Sequence, residues 1–109
     1  MDSSLTDIFQ KCFNLQLLIG NQERMQTQEF RNEMALALQS EIFEALGETP
    51  WKPWKKNQKF NVKKFKEELI DCQFFLINLM LSAEMHPDEM FEMFCDKYKV
   101  NIERQRNGY

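Results

Sequence analysis

The sequence has few turn residues and few metal-binding side chains. Its 109 residues include only three glycines, three prolines and one histidine. Folds with many strands need frequent turn residues, so this scarcity argues against them and favours long helices. The three cysteines lie far apart and form no CxxC pair. This argues against a structural zinc site and a disulfide framework, and indicates reduced thiols.

The sequence also lacks a basic excess and a long apolar run. Its formal net charge is −3, which argues against binding to a nucleic-acid backbone. The N-terminal residues contain no basic start followed by an apolar run, so we expect no signal peptide. The most apolar stretch, 74–81, is interrupted by Asn78 and is too short to span a bilayer. We therefore expect a cytoplasmic protein with no membrane or nucleic-acid partner.

The remaining composition is that of a globular protein, with 43% hydrophobic and 28% charged residues. We predict an all-α fold in which residues 1–109 form a single domain. The third helix is apolar almost all round, so we expect it to be buried on most sides. Its apolar surface and the 14 aromatic residues in a short chain predict self-association. Apolar periodicity and capping residues predict helices at about 4–19, 27–46 and 61–83, a loop at 48–61, and a last helix starting near Pro87.

Two pairs of acidic residues are the clearest candidates for chemistry. Glu41 and Glu44 are three residues apart on the second helix, as are Glu68 and Asp71 on the third. Residues at this spacing share a helix face, so antiparallel packing brings four carboxylates together. Oxygen ligands suit Mg²⁺, with Mn²⁺ as the alternative. The alternative interpretation is a solvated acidic face, and periodicity alone does not separate the two.

The loop between the second and third helices contains tryptophan, lysine and proline close together in sequence. Trp51 and Trp54 flank Pro53, with Lys55 beside them. Such a loop can stack on a nucleotide base while the lysine meets a phosphate. Both indoles can equally cap the hydrophobic core, which is the commoner role. The C-terminal region places polar residues on one helix face at Lys97, Asn101 and Arg104. Taken alone, that face is typical of a solvated helix end.

These motifs occur in the order ExxE, WKxWK, ExxD and KxxxNxxRQxxGY over roughly residues 33–109. In that order they resemble the dimeric-type, all-α dUTPases, which are relatives of the MazG-like nucleotide pyrophosphatases. The chain is similar to a short version of the kind that phages carry. The resemblance implies a four-helix, MazG-like bundle that assembles into a homodimer or a dimer of dimers. It also implies Mg²⁺-dependent hydrolysis of dUTP to dUMP and pyrophosphate.

The resemblance further implies roles for individual residues. The metal ligands are Glu41, Glu44, Glu68 and Asp71, with Glu41 or Glu44 as the catalytic base. The substrate-binding residues are Gln16 for uracil, Phe75 for the sugar, Asn101 for the nucleoside, and Lys97, Arg104 and Tyr109 for the phosphates. The loop residues Trp51, Trp54 and Lys55 complete the predicted substrate site.

The chain departs from the family pattern at two positions. Gly20 stands where the family has Asn or Asp four residues after the glutamine, and Phe74 replaces a histidine. These departures keep a pyrophosphatase for dCTP or other nucleoside triphosphates open as an alternative. A helical module that binds a nucleotide or a protein without catalysis is the alternative from another class.

Overall fold

The computed structural model describes residues 3–108, and these form four helices without strands. The helices are α1 (Ser3–Ile19), α2 (Gln28–Gly47), α3 (Val62–Ser82) and α4 (Pro87–Asn107). The all-α prediction is confirmed, and the boundaries lie within a residue or two of those predicted. No helix in this part of the chain is long and apolar enough to cross a membrane.

Local sequence explains where the helices begin and end. The Thr27 side chain accepts a hydrogen bond from the Phe30 amide and caps α2, and Asn61 caps α3 through the Lys64 amide. Pro87 opens α4, where its missing N–H has no helical partner to lose. Gly20 ends α1 with a φ of 98°, a left-handed conformation that favours glycine.

Helices α2 and α3 pack along one another in antiparallel orientation, and we call their shared face the α2–α3 seam. At one end, the Asn61 amide donates to the Glu48 carbonyl oxygen at 2.9 Å. At the other end, the Arg31 guanidinium donates to the Ser82 carbonyl at 2.8 Å and to its hydroxyl at 3.2 Å. Because both ends are joined by hydrogen bonds, the register between the two helices is fixed.

The apolar core lies where α1 crosses the C-terminal half of α3. Phe9 and Cys12 of α1 pack against Ile77 of α3, and each is buried. Leu5, Met80, Leu81 and Met90 pack around them. Within the described residues, α4 packs against α1, and its backbone does not come close to that of α2 or α3. The fourth helix therefore lies outside the pair that forms the seam.

The protomer is more open than its length requires. Its radius of gyration is 17.1 Å, whereas a compact chain of this length has about 13 Å. Helix α3 exposes Leu69, Ile70, Phe74 and Leu76. The expectation that α3 is buried on most sides is therefore not met in one protomer. Only α2 and the crossing α1 cover it, so much of its apolar surface faces outward.

Candidate metal and nucleotide site

Three carboxylates converge in the middle of the α2–α3 seam. Oxygen atoms of Glu41, Glu44 and Glu68 all lie within 4.8 Å of one another. The two residues on α2 share a face because they are three apart, and the antiparallel register places Glu68 opposite them. This group is the arrangement that hard divalent cations prefer, since it offers oxygen ligands from two rigid elements.

The electrostatics of the three-carboxylate group indicate that it lacks a neutralising positive charge. The pKa of Glu41 is raised to about 7, first by a hydrogen bond to Glu68 that favours its protonated form, then by burial and by Glu44. When both side chains are ionised, one oxygen each of Glu41 and Glu68 is buried without a hydrogen-bond partner. Crowded carboxylates with unpartnered oxygens are costly unless a cation or a proton neutralises them. The residues present therefore fit a divalent metal ion.

Two neighbours of the group do not join it. Asp71, one turn after Glu68 on α3, is exposed and lies outside the three-carboxylate group. The pKa of the Cys72 thiol is raised by burial and by the charges of Glu41, Asp71 and Glu68. That shift favours the protonated form of the thiol. The role of Asp71 as a fourth ligand stays a prediction.

The α3 face that carries Asp71 continues along the seam to Phe75 and Asn78. Phe75 is half-buried, and Asn78 is buried with an exposed fraction of 3%. The Asn78 amide nitrogen lies 3.5 Å from the sulfur of Met34 on α2. Its oxygen has no hydrogen-bond partner. Sequence reasoning assigned no role to Asn78, although a polar residue that interrupts an apolar run is a usable signal.

Gln16, the predicted uracil-binding residue, is buried and is held by the turn that follows α1. The Asn21 side-chain nitrogen donates to the Gln16 side-chain oxygen at 2.7 Å, and the Asn21 amide donates to the Gln16 carbonyl at 2.9 Å. Arg24 in turn donates to the Asn21 side chain at 3.1 Å and pairs with Glu33. Gly20 makes this turn by its positive φ, so Asn21 reaches Gln16 from the fifth position.

The loop between α2 and α3 is ordered by its own polar contacts. The Gln58 side chain accepts from the Lys52 amide at 3.1 Å and donates to the Lys55 carbonyl at 2.8 Å. Trp51 and Trp54 meet edge to face, with ring centroids 5.7 Å apart. Trp54 is 72% exposed, so it does not cap the core of this protomer. A cavity of about 420 Å³ opens beside Trp51, lined by Phe43, Lys52, Lys55 and Lys59.

The predicted C-terminal residues lie apart from the carboxylates. Lys97, Asn101 and Arg104 are exposed on α4, whose backbone does not come close to either helix of the seam. Tyr109 lies outside the described residues. The chain therefore brings together three of the four acidic residues of the predicted site, but not its predicted C-terminal phosphate-binding residues.

Comparison with known proteins identifies the family of this chain. Residues 4–93 match a protein family described as dUTPase, which is most of the chain. The chain belongs to this all-α dUTPase family. Over 44 residues it is 41% identical to a dCTP pyrophosphatase of Enterobacteria phage T4, a match that covers 40% of this chain and 26% of that protein. The match thus spans about a quarter of the phage protein's length. No solved structure matches the chain significantly.

The family match includes the three carboxylates, the tryptophan loop and Gln16, and it ends at residue 93. Lys97, Asn101 and Arg104 lie beyond it, so their roles stay predictions. The resemblance seen in the sequence is confirmed at the level of the family. The base that this member of the dUTPase family accepts is left open, because the phage relative carries the name of a dCTP enzyme.

Proposed function

We propose that this chain is a Mg²⁺-dependent nucleoside triphosphate pyrophosphatase that converts dUTP to dUMP and pyrophosphate. The observation that carries the proposal is the three-carboxylate group in the seam, with its two buried, unpartnered oxygens. Membership of the dUTPase family supports the reaction class. The acids on two rigid helices are suited to binding a cation in a fixed position.

Glu41, Glu44 and Glu68 hold the cation, with Asp71 as a further ligand one turn along α3. When bound, the cation screens the phosphate charges and favours deprotonation of the attacking water. Glu44 is exposed at the edge of the group, which suits it to accept the proton of that water. Glu41 is the alternative base, because it belongs to the same group of carboxylates.

The remaining predicted residues bind the nucleotide around this centre. Phe75 follows Asp71 by one turn on α3, so a sugar beside the phosphates would pack against its ring and a 2′-hydroxyl would be crowded. Trp51, Trp54 and Lys55 belong to a loop that leaves the C-terminal end of α2, two turns from Glu41. An exposed indole and a lysine there suit a base and a phosphate, respectively.

The active form in this proposal is a homodimer or a dimer of dimers. Phe91, Phe94 and Tyr98 form an exposed apolar stripe on α4, at positions i, i+3 and i+7. Exposed apolar surface of this extent is typical of an association surface. In such an assembly, Lys97, Asn101 and Arg104 approach the phosphates at the carboxylates of a second copy. This accounts for their separation from the seam within one protomer.

The second candidate substrate is dCTP, and one contact favours it. The Gln16 oxygen already accepts a hydrogen bond from Asn21, so the amide presents mainly its nitrogen to a ligand. Uracil needs both a donor and an acceptor along its edge, and this contact leaves the Gln16 oxygen with a single lone pair for the acceptor role. The phage relative named for dCTP points the same way. We place dUTP first because the family match covers far more of the chain.

A substrate panel tests the proposal. Pyrophosphate release is measured from dUTP, dCTP, dTTP and UTP, with and without Mg²⁺. We expect Mg²⁺-dependent release, highest with dUTP and lower with UTP because of Phe75. Matched efficiency for dUTP and dCTP would contradict uracil selectivity, and no release from any nucleotide would contradict the reaction class.

A further inference from the structure

Three buried side-chain oxygens on the α2–α3 seam lack a hydrogen-bond partner, and the described residues contain no other such side-chain atom. They are Glu41 Oε2, Glu68 Oε2 and Asn78 Oδ1. Buried polar groups in folded proteins are nearly always hydrogen-bonded, so each exception calls for an explanation. A cation explains the two carboxylate oxygens. It does not explain the third, which lies elsewhere on the seam.

The orientation of the Asn78 amide is set by its neighbour on α2. Its nitrogen lies 3.5 Å from the Met34 sulfur, and a thioether can only accept hydrogen bonds. The NH₂ group must therefore face the sulfur, and the carbonyl oxygen faces away from it. Because Asn78 is only 3% exposed, bulk water does not satisfy that oxygen. The seam thus presents a fixed hydrogen-bond acceptor.

The position of Asn78 relates it to the carboxylates. Asn78 follows Asp71 by seven residues on α3, and Met34 precedes Glu41 by seven residues on α2. Two to three helical turns, about 10 to 15 Å, therefore separate the Asn78–Met34 level from Glu41 on α2 and from Glu68, which precedes Asn78 by ten residues on α3. Phe75 lies between the two levels on α3. A ligand that satisfies all three oxygens binds a cation at one end and carries an N–H donor at the other.

We infer that Asn78 binds the pyrimidine base of the nucleotide. Its Oδ1 accepts a hydrogen bond from N3–H of uracil or from the 4-amino group of cytosine, while the triphosphate end meets the cation at the carboxylates. This inference rests on the proposed function and adds a residue that determines how the nucleoside is held. Asn78 touches the base and not the reacting phosphates, so it is a binding residue.

The test uses Asn78→Leu, which keeps the side-chain size and removes the oxygen. Replacing an unpartnered buried polar group by an apolar one is neutral or stabilising, so we expect an equal or higher Tm. Calorimetry with Mg²⁺ then compares α,β-imido dUTP and α,β-imido dCTP with base-free 2′-deoxyribose 5′-triphosphate. We expect the variant to bind the base-bearing analogues about tenfold more weakly or worse, and the base-free compound unchanged. Comparing the two imido analogues shows which base donor is used.

Equal weakening for all three compounds, or no weakening for any of them, would overturn the inference. Gln73→Leu, an exposed position on α3 away from the seam, is the matched control and should change nothing. Asn78→Ala replaces Asn78→Leu if the leucine variant does not fold.

Pyrophosphate release separates this inference from the proposed function. Base-dependent binding that needs Asn78, without pyrophosphate release, would contradict the function and support the inference. Pyrophosphate release by the wild type, together with base-dependent binding that is unchanged in Asn78→Leu, would support the function and contradict the inference. A wild type that binds none of the three compounds would contradict both.

Discussion

The α2–α3 seam and the exposed face of α4 differ in the kind of contact that each lacks. The seam is joined at both ends within one chain, from Asn61 and Glu48 to Arg31 and Ser82. The seam lacks polar partners, because its unpartnered oxygens would be satisfied by a cation and by a hydrogen-bond donor of a ligand. The α4 face lacks apolar partners, because Phe94 and its neighbours expose apolar side chains to solvent. This difference supports our proposal that the seam binds small polar ligands and that α4 contacts another chain.

The largest effect is expected from removing a carboxylate of the seam. Glu68→Gln should reduce pyrophosphate release more than 100-fold, since loss of even an outer-shell partner costs a metal site 10- to 100-fold. The fold should persist, because fewer crowded acids repel one another less. Steady-state kinetics at saturating Mg²⁺ and a thermal melt measure both effects.

Glu67→Gln is the matched control, since Glu67 is the adjacent exposed acid on α3 and lies outside the group. It should behave like the wild type. Near-wild-type turnover by Glu68→Gln would remove the seam from the catalytic assignment.

The next largest effect is expected on the α4 side of the comparison. Phe94→Glu places a charge in the middle of the apolar stripe and should convert the assembly to a single chain of 13.2 kDa. Because the C-terminal residues would then leave the second copy's carboxylates, activity should fall with the mass. Light scattering and a pyrophosphate assay on the same sample measure the two together.

Lys99→Glu provides the control, because Lys99 is exposed on α4 and lies off both the apolar stripe and the face of Lys97 and Arg104. It should keep both mass and activity. If the wild type is itself a 13.2 kDa monomer in solution and is active, the two-copy site is wrong.

The sequence predicted the helices of the seam well and the surroundings of α4 poorly, for physical reasons. Caps such as Thr27 and Asn61 act locally, so helix ends can be read without knowing the fold. The spacing of Glu41 and Glu44 likewise predicted a shared face. The exact rotation of α3 depends on packing, however, so spacing alone could not show that Asp71 lies outside the group. An apolar stripe on α4 predicts burial and does not identify the surface that buries it.

Two further details depend on side-chain contacts that a sequence does not contain. Asn21 contacts Gln16 only because Gly20 turns the chain with a positive φ. The unpartnered oxygen of Asn78 depends on the Met34 sulfur across the seam. In both cases the residue types are visible in the sequence, but their hydrogen-bond partners come from packing between segments.

A smaller effect, specific to the seam, is a pH dependence of stability without metal. The pKa of Glu41 is raised from 4.5 to about 7 in the folded protein, so between these pH values the folded state binds more protons than the unfolded state. The stabilisation is fully present below pH 4.5 and is lost as pH rises through about 7. Urea melts in EDTA between pH 5 and 8 should show this decline, and Glu41→Gln should flatten it. Saturating Mg²⁺ should restore stability at pH 8, and an unchanged slope in Glu41→Gln would assign the effect to other groups.

The smallest effect concerns the hydrogen bonds that close the end of the seam. The Arg31 guanidinium donates to the Ser82 carbonyl at 2.8 Å, where the last carbonyls of α3 lack helical partners and carry the negative end of the helix dipole. Arg31→Met keeps the aliphatic part of the side chain and removes the charged donors. A charged hydrogen bond contributes about 2 kcal/mol, so the urea midpoint should fall accordingly. Because the cation site lies more than two helical turns away, the Mg²⁺ dependence of activity should hold. Arg106→Met, at the exposed end of α4, is the control for loss of one positive charge. If Arg31→Met also abolishes Mg²⁺-dependent activity while remaining folded, the register of the seam depends on this end more than its other contacts indicate.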